Sequence, residues 1–357
     1  MRRFASIALV SLIAACSVNV DVDPSASRSA PTASSIAAGA RVVAHENALG
    51  YCGTFYSFCP MFVLRDRVFF RAVTAPDAAD PFAASIRSAG TTNGLTTTET
   101  VASTSEASNL FGPFLGGDGI EWLVQSGDAK ATITTLFTGE GSTADARALG
   151  SIAGVSLVAG DDASAIYLFM ADSTLVRVSK IDGRSRIVGA LDGFVPIAAV
   201  ADSDPNGFLY ATGLDGIARV SKSNALMTTL STNEAGSQFG DRLSVGAGQL
   251  FSAEETSSSS TILARPLVGG ALHAVASSPG GSSSIVVDGD DVFWITVTPN
   301  DDTRVTSTLW RAPLAGDESP TPLYAESSVP SWLTGVAFDA ASIYVTTTDG
   351  RLLALAK

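Results

Sequence analysis

The feature that most constrains this chain is an internal repeat. Seven times, a short apolar strand leads through a turn into a pair that contains a large apolar or aromatic residue. These pairs are Phe69-Phe70, Glu121-Trp122, Ile166-Tyr167, Leu209-Tyr210, Leu250-Phe251, Phe293-Trp294 and Ile343-Tyr344. Successive pairs are separated by 52, 45, 43, 41, 43 and 50 residues. A period of about 45 residues is typical of one propeller blade. The sequence therefore predicts an all-β, seven-bladed β-propeller of four-stranded antiparallel blades.

The later parts of each unit also repeat. Residues 175–180 (LVRVSK) resemble residues 217–222 (IARVSK), and residues 263–267 (LARPL) resemble residues 309–314 (LWRAPL). Short β-rich runs alternate with Gly, Asp and Asn turns, and no segment has the periodicity of an amphipathic helix. Glu121-Trp122 is the poorest match, so a degenerate second unit would leave six blades.

One segment stands outside the repeat. Residues 40–44 (ARVVA) precede the first unit, and the last unit provides three strands before Lys357. We expect residues 40–44 to supply the missing outer strand of the last blade. Such a clasp would close the ring and cover two otherwise exposed blade faces.

The N-terminus has the pattern of an export signal. Met1-Arg2-Arg3 is basic, and residues 4–15 form an apolar stretch that is too short for a membrane span of about 20 residues. The stretch ends in Leu12-Ile13-Ala14-Ala15-Cys16. This ending resembles the bacterial lipobox: an aliphatic residue, two small residues and a cysteine. The alternative is an ordinary cleaved signal with a chance cysteine.

The lipobox resemblance implies a domain order and a location. Residues 1–15 would be a lipoprotein signal peptide, and Cys16 would carry the lipid that anchors the chain to a membrane. Residues 16–39 are rich in Ser, Ala and Pro and predict a disordered tether, which leaves 40–357 as the propeller domain. Ser17, in place of Asp, favours the outer membrane of a bacterial cell envelope.

Two further cysteines remain, Cys52 and Cys59. An even pair in an exported chain predicts a disulfide bond. Metal or redox chemistry is the alternative, but the chain has no CxxC motif and only two histidines.

Charge limits the partners. The chain has 22 basic and 35 acidic residues, a net charge of −13. Nucleic acid and anionic lipid surfaces bind through basic patches, and the sequence has no cluster of Lys or Arg. We therefore expect no nucleic-acid partner.

Acidic residues recur in the first turn of nearly every unit: Asp66, Asp118, Asp162, Asp202 or Asp204, Asp288 and Asp339. Oxygen ligands arranged in a ring would suit Ca²⁺. The favoured interpretation is structural, because Asp stabilises such turns by accepting hydrogen bonds from its own backbone. No cofactor and no metal ligand are predicted.

The sequence predicts no catalytic residue. His45 lies on the expected clasp and His273 in a strand-like segment, and neither lies near a GxSxG motif. The adjacent acids Glu254 and Glu255 precede the run Ser257–Ser260, which predicts an exposed loop in which both carboxylates are solvated.

The repeats carry a family resemblance. Residues 164–183, 208–220 and 292–316 resemble YWTD-type and related bacterial propeller repeats, and the likeness covers most of residues 60–357. The strict YWTD tetrapeptide is replaced by IYLF, LYAT, FWIT and IYVT. The resemblance implies a propeller that binds a ligand or protein. Together with the lipobox resemblance, it favours a non-enzymatic, envelope-anchored module that binds a protein or glycan or serves as a scaffold. The alternative is a metal-dependent envelope hydrolase or lyase with its site on the propeller axis.

Overall fold

The computed structural model describes residues 40–45, 61–73, 84–91, 96–104, 108–115, 119–126, 133–139, 146–191, 193–213, 216–232, 238–256, 258–299, 305–316, 319–327 and 332–357. Regular structure in these ranges consists of 28 β-strands. They form seven sheets of four strands each, and every pairing is antiparallel. In the described ranges no helix has the length and apolar character needed to cross a membrane.

The first four blades follow the chain in order. Blade 1 contains β2 (Phe62–Leu64), β3 (Arg67–Val73), β4 (Ala84–Gly90) and β5 (Glu99–Ser103). Blade 2 contains β6 (Ser108–Leu115), β7 (Ile120–Ser126), β8 (Ile133–Gly139) and β9 (Arg147–Ala153). Blade 3 contains β10 (Val155–Asp161), β11 (Ala165–Met170), β12 (Thr174–Ser179) and β13 (Ser185–Ala190). Blade 4 contains β14 (Pro196–Ala201), β15 (Phe208–Gly213), β16 (Gly216–Ser221) and β17 (Met227–Thr232).

The last three blades complete the ring. Blade 5 contains β18 (Gln238–Gly246), β19 (Gln249–Glu255), β20 (Ser259–Pro266) and β21 (His273–Pro279). Blade 6 contains β22 (Gly281–Asp288), β23 (Asp291–Pro299), β24 (Val305–Pro313) and β25 (Thr321–Glu326). Blade 7 contains β26 (Leu333–Phe338), β27 (Ser342–Thr347) and β28 (Arg351–Ala356), with β1 (Arg41–His45) as its fourth strand. The first strands β10, β14, β18, β22 and β26 lie side by side, and β2 lies beside β26.

The clasp is confirmed. Strand β1 pairs antiparallel with β28, and Arg41 lies opposite Ala354 in this ladder. Val43 and Ala44 are buried in a cluster that also contains Val68 and Phe70 of blade 1. One short segment therefore completes the last blade and packs against the first, so the two ends of the ring are held together.

The repeat predicted the second strand of every blade correctly. All seven apolar pairs lie on β3, β7, β11, β15, β19, β23 and β27. Blade 2 is complete, and its Trp122 is buried against Phe137 with nearly parallel rings, so the count is seven and not six. The buried side chains form clusters that span neighbouring blades; one of them joins Tyr167 and Phe169 of blade 3 to Leu209 of blade 4.

The interpretation of Glu254 and Glu255 was wrong. Both residues lie inside β19, and Ser259 and Ser260 of the serine run belong to β20. Glu255 Oε1 accepts hydrogen bonds from the backbone amide and the hydroxyl of Ser282, at 3.0 and 2.9 Å. The long β19–β20 hairpin carries Glu255 to the first strand of blade 6, where its carboxylate links two blades.

Candidate functional site

Successive strands of a blade run in opposite directions. The turn between the first and second strands therefore lies on the same face of the ring as the turn between the third and fourth strands. We call this face the turn face. A surface depression of about 740 Å³ opens on it above blades 3, 4 and 5. Its lining includes Asp202, Phe208, Tyr210 and Arg219 of blade 4 and Val268 of blade 5.

In blade 3 the first turn is fixed by an aspartate and a tyrosine. Asp162 Oδ1 accepts hydrogen bonds from the backbone amides of Ser164 and Ala165, at 2.8 and 3.0 Å. Its other oxygen accepts a hydrogen bond of 2.9 Å from the Tyr167 hydroxyl. Burial opposes ionisation, but these hydrogen bonds and one from Lys222 lower the pKa of Asp162 to about 2. The carboxylate is therefore charged at neutral pH and holds the turn closed.

Blade 7 repeats this arrangement. Asp339 accepts hydrogen bonds from the Ser342 amide and from the Tyr344 hydroxyl, each at 2.7 Å. In both blades the tyrosine follows the aspartate by five residues. We call this contact the Asp–Tyr lock. It confirms the structural interpretation of the recurring acid for blades 3 and 7.

Blade 4 breaks the Asp–Tyr lock. Its turn is three residues longer, so Tyr210 follows Asp202 by eight residues. The Asp202 carboxylate instead accepts a hydrogen bond of 2.8 Å from the Phe208 amide. The side chain of Tyr210 is only 1% exposed, and within the described residues its hydroxyl has no hydrogen-bond partner. The longer turn thus leaves a buried polar group unsatisfied at the depression.

Arg219 lies directly opposite Tyr210 on the neighbouring strand. Its counterpart in blade 3, Arg177, donates a hydrogen bond of 3.0 Å to the Ser164 hydroxyl. Arg219 instead lies over the Phe208 ring, with its guanidinium carbon 4.5 Å from the ring centroid. Its Nε has no hydrogen-bond acceptor among the residues that the structure describes.

Lys222 is a buried residue that contacts two of the aspartates of the depression. Its ammonium donates hydrogen bonds to Asp162 Oδ2 at 3.0 Å and to the Asp202 carbonyl at 2.6 Å. It also lies 3.3 Å from Asp202 Oδ1, which accepts no hydrogen bond from the described part of the chain. The Lys222 side chain is completely buried, so one ammonium compensates the charge of carboxylates from two blades.

Lys180 occupies the same repeat position in blade 3. Its ammonium donates hydrogen bonds to the Leu115 carbonyl of blade 2 at 2.5 Å and to Asp161 at 2.7 Å, and lies 3.6 Å from Glu121. Burial raises the pKa of Glu121 to about 7, although the Lys180 charge opposes the shift. The two lysines therefore join blades 2, 3 and 4 through buried ionic contacts.

The unpaired tyrosine keeps its proton. Burial, together with the charge of Asp202, raises the pKa of Tyr210 to about 12, although the charge of Arg219 opposes the shift. At neutral pH its hydroxyl can therefore donate or accept a hydrogen bond.

Three exposed aliphatic residues, which we call the aliphatic row, lie on the turn face, and one of them, Val268, lines the depression. The row consists of Ile181, Leu226 and Val268, which are 84%, 68% and 94% exposed. Each of them lies in the turn between the third and fourth strands of its blade, in blades 3, 4 and 5 respectively. Single exposed aliphatic residues are ordinary, but the same turn carries one in three consecutive blades.

Of the residues singled out from the sequence, the structure brings Asp162, Asp202 and Asp204 together at the depression. Asp66 lies in a turn of blade 1, Asp288 is the last residue of β22 in blade 6, and Asp339 follows β26 in blade 7. His45 and His273 are exposed in blades 7 and 5. No group of three His, Cys, Asp or Glu side chains within the described ranges could hold a metal ion. The predicted lipid site Cys16, the predicted disulfide Cys52–Cys59 and the turn residue Asp118 lie outside the described residues.

Sequence analysis singled out acids of the depression, Asp162 and Asp202 or Asp204, but missed Tyr210 and Arg219. It recognised Leu209-Tyr210 and residues 217–222 only as strand repeats. The interval between acid and tyrosine, five residues in blades 3 and 7 and eight in blade 4, is the signal that distinguishes Tyr210. It acquires meaning only when the lock in the other blades is known.

Comparisons with known proteins support the fold. No protein-family model matches the chain, and no curated protein matches its sequence. A chain of a mitotic checkpoint complex superposes with a TM-score of 0.61 at 12% identity, covering 93% of this chain and 97% of the other. An oligogalacturonate lyase from Vibrio parahaemolyticus gives 0.59 at 9% identity, with 88% and 91% covered. YCF48 bound to D1 peptide gives 0.55 at 10% identity, with 89% and 94% covered. At these identities the similarity concerns the propeller fold alone.

Proposed function

We propose that this protein is a lipid-anchored propeller of the bacterial cell envelope that binds a protein partner through its turn face. The observation that carries the proposal is the aliphatic row, Ile181, Leu226 and Val268. Exposed aliphatic side chains on adjacent blades form a surface from which a partner would exclude water. The polar depression, which Val268 also lines, can supply the hydrogen bonds that make such an interface specific.

The fold suits this role. Each exposed side chain lies on a short turn between two paired strands, and buried ionic contacts join blades 2, 3 and 4. A rigid surface loses little conformational entropy on binding. YCF48, a propeller with a similar fold, has been solved with a bound peptide. The alternative of a metal-dependent hydrolase or lyase remains a hypothesis, and no observation on the described residues favours it.

The lipobox-like sequence of residues 12–16 supports the anchor. Lipidation of Cys16 would attach the propeller to a membrane through the tether of residues 16–39, and Ser17 favours the outer membrane. In a bacterial host that is fed radioactive palmitate, the wild-type protein should be labelled and should sediment with membranes. Cys16→Ala should lose the label, whereas Cys59→Ala should keep it. Equal labelling of wild type and Cys16→Ala would refute the anchor.

The binding role is tested on the full chain in its membrane. A photoreactive amino acid at position 226 should give a discrete cross-linked protein product. The same group at position 197, on the opposite face, should not. The triple variant Ile181→Ser, Leu226→Ser, Val268→Ser should lose the partner captured by the wild type in a pull-down.

The matched control removes exposed aliphatic side chains elsewhere on blades 3 and 4. Ile187 and Ile197 are exposed but lie on the outer strand of blade 3 and near the start of β14. Ile187→Ser combined with Ile197→Ser should retain the partner. If both variants retain it equally, the turn face is not the binding surface.

A further inference from the structure

We propose that the depression above blade 4 is a specificity pocket that takes an extended basic segment of the partner protein. One amide group of that segment is held by Tyr210, Arg219 and Asp202. This inference rests on the proposed binding role of the turn face and names the chemistry of the segment that is recognised.

The polar atoms of the depression indicate which chemical group would bind there. Tyr210 brings a hydroxyl and Arg219 an Nε–H donor, and within the described residues neither atom has a hydrogen-bond partner. Asp202 brings an Oδ1 acceptor that accepts no hydrogen bond there, and the Lys222 ammonium lies 3.3 Å from it. Leaving a polar group buried without a partner costs about 1–3 kcal/mol. An amide has a carbonyl that can accept from the hydroxyl and from Nε–H, and an N–H that can donate to the carboxylate. A peptide amide therefore carries the acceptor and the donor that complement these three atoms, whose residues all line the depression.

The charge of the lining indicates which side chains the bound segment of the partner should carry. The lining contains four carboxylates, Asp161, Asp162, Asp202 and Asp204, against the single guanidinium of Arg219. The buried ammonium groups of Lys222 and Lys180 compensate the first three. Asp204 is exposed and has no ion-pair partner in the described part of the chain. A lysine or arginine of the segment would complement its charge.

The rim favours a polypeptide over a glycan. Leu267 and Val268 border the depression with aliphatic surface, which suits an aliphatic side chain. Sugar rings generally stack on open aromatic faces, but the Phe208 ring lies beneath the Arg219 guanidinium. The depression thus combines an aliphatic border, an exposed carboxylate at Asp204 and polar atoms that complement an amide group.

The broken Asp–Tyr lock provides the decisive comparison. In blade 7 the Tyr344 hydroxyl stabilises the fold through Asp339, whereas the Tyr210 hydroxyl has no partner in the described fold. Removing the Tyr344 hydroxyl should therefore affect stability alone. Removing the Tyr210 hydroxyl should affect binding alone.

The test uses the full chain in detergent micelles and isothermal titration calorimetry. The probes are blocked octapeptides, one with the sequence Lys-Val-Ser-Gly repeated twice and one with Glu in place of Lys. We expect saturable binding of the lysine peptide, at least about tenfold tighter than binding of the glutamate peptide. No binding of the lysine peptide, or equal binding of both peptides, would overturn the proposal.

Variants locate the binding. Tyr210→Phe and Asp204→Asn should each lower the affinity for the lysine peptide about fivefold, which is the effect of losing one hydrogen bond or one charge. Tyr210→Phe should leave the unfolding temperature unchanged or higher. Tyr344→Phe should lower it and bind the peptide like the wild type. Unchanged peptide affinity in Tyr210→Phe would show that the pocket does not bind the peptide.

A third probe separates the proposal from its rival and from the proposed function. A chito-oligosaccharide also carries amide groups; if it binds in place of the lysine peptide and Tyr210→Phe weakens it, the site recognises a glycan and the proposal fails. In another outcome, the lysine peptide does not bind, while the triple serine variant of the aliphatic row still loses its partner in the pull-down. That outcome refutes the pocket inference and leaves the proposed function standing. Retention of the partner by that variant instead refutes the proposed function.

Discussion

Lys222 and Asp162 form an ion pair of 3.0 Å across the boundary between blades 4 and 3, and both side chains are completely buried. The two residues are 60 positions apart in the sequence. The pair is therefore a tertiary contact that holds two neighbouring turns of the turn face in fixed positions.

Removing the cation should destabilise the propeller strongly. Lys222→Met leaves the Asp162 and Asp202 carboxylates without their shared counterion, and breaking a buried pair costs about 3–5 kcal/mol. Chemical denaturation should show this loss in the free energy of unfolding. The control is Arg184→Met, which removes an exposed pair with Asp182 and should leave the free energy of unfolding nearly unchanged. Similar losses in the two variants would contradict the structural role of Lys222.

Glu121 should make stability depend on pH. Its pKa is raised from 4.5 to about 7 by burial, against the opposing charge of Lys180. The folded state therefore holds a proton that the unfolded chain releases between these values, so this residue makes unfolding easier as pH rises through that window.

The variant Glu121→Gln removes this titration. Relative to the variant, the wild type should lose about 2 kcal/mol of unfolding free energy between pH 4.5 and 7. Urea midpoints for both proteins across that range provide the measurement, because their difference cancels groups that titrate alike. A difference that stays constant with pH would show that Glu121 keeps its ordinary pKa.

A single buried charge in β1 should destabilise the closure of the ring. Val43 is completely buried between blades 7 and 1, so Val43→Asp places an unpaired carboxylate inside that cluster. We expect a loss of about 3 kcal/mol or more, seen as a lower unfolding temperature. His45→Asp changes the exposed end of the same strand and should stay within about 0.5 kcal/mol. If Val43→Asp is equally mild, β1 does not hold the ring closed.

The long turn of blade 4 depends on a glycine. A Cβ at position 207 would collide with the Asp202 carboxylate. Gly207→Ala should displace that carboxylate from Lys222 and from the Phe208 amide, at a loss of about 1–3 kcal/mol. A Cβ on Gly281 would come no closer than 3.8 Å to a neighbour, so Gly281→Ala is the matched control and should be nearly neutral. Thermal unfolding of the two variants should differ accordingly.

The architecture could be predicted because its signals are local. Strand pattern, turn residues and the spacing of the seven apolar pairs depend on short stretches of chain, and each unit repeats them. Even the poor match Glu121-Trp122 belongs to a complete blade, since Trp122 packs against Phe137 of the adjacent strand. The pattern failed at Glu254 and Glu255, because polar serines can continue a strand whose partners lie in the same blade.

The candidate site could not be predicted in the same way. Lys180 and Lys222 appear in the sequence as the last letters of two similar strands, yet their ammonium groups reach acceptors 65 and 60 residues away. Tyr167 and Tyr210 likewise occupy one repeat position but differ in hydrogen bonding. The difference arises from a turn that is three residues longer.

By itself, the sequence determined the propeller, its seven blades, the closing role of residues 40–44 and the expectation that Cys16 carries a lipid. Those conclusions depend on periodicity and on motifs that a short segment contains. Only the tertiary structure decided which polar groups are paired. Whether a hydroxyl such as that of Tyr210 finds a partner depends on angstrom-scale positions of turns from different blades, and hydrogen bonds lose their strength over so small a displacement.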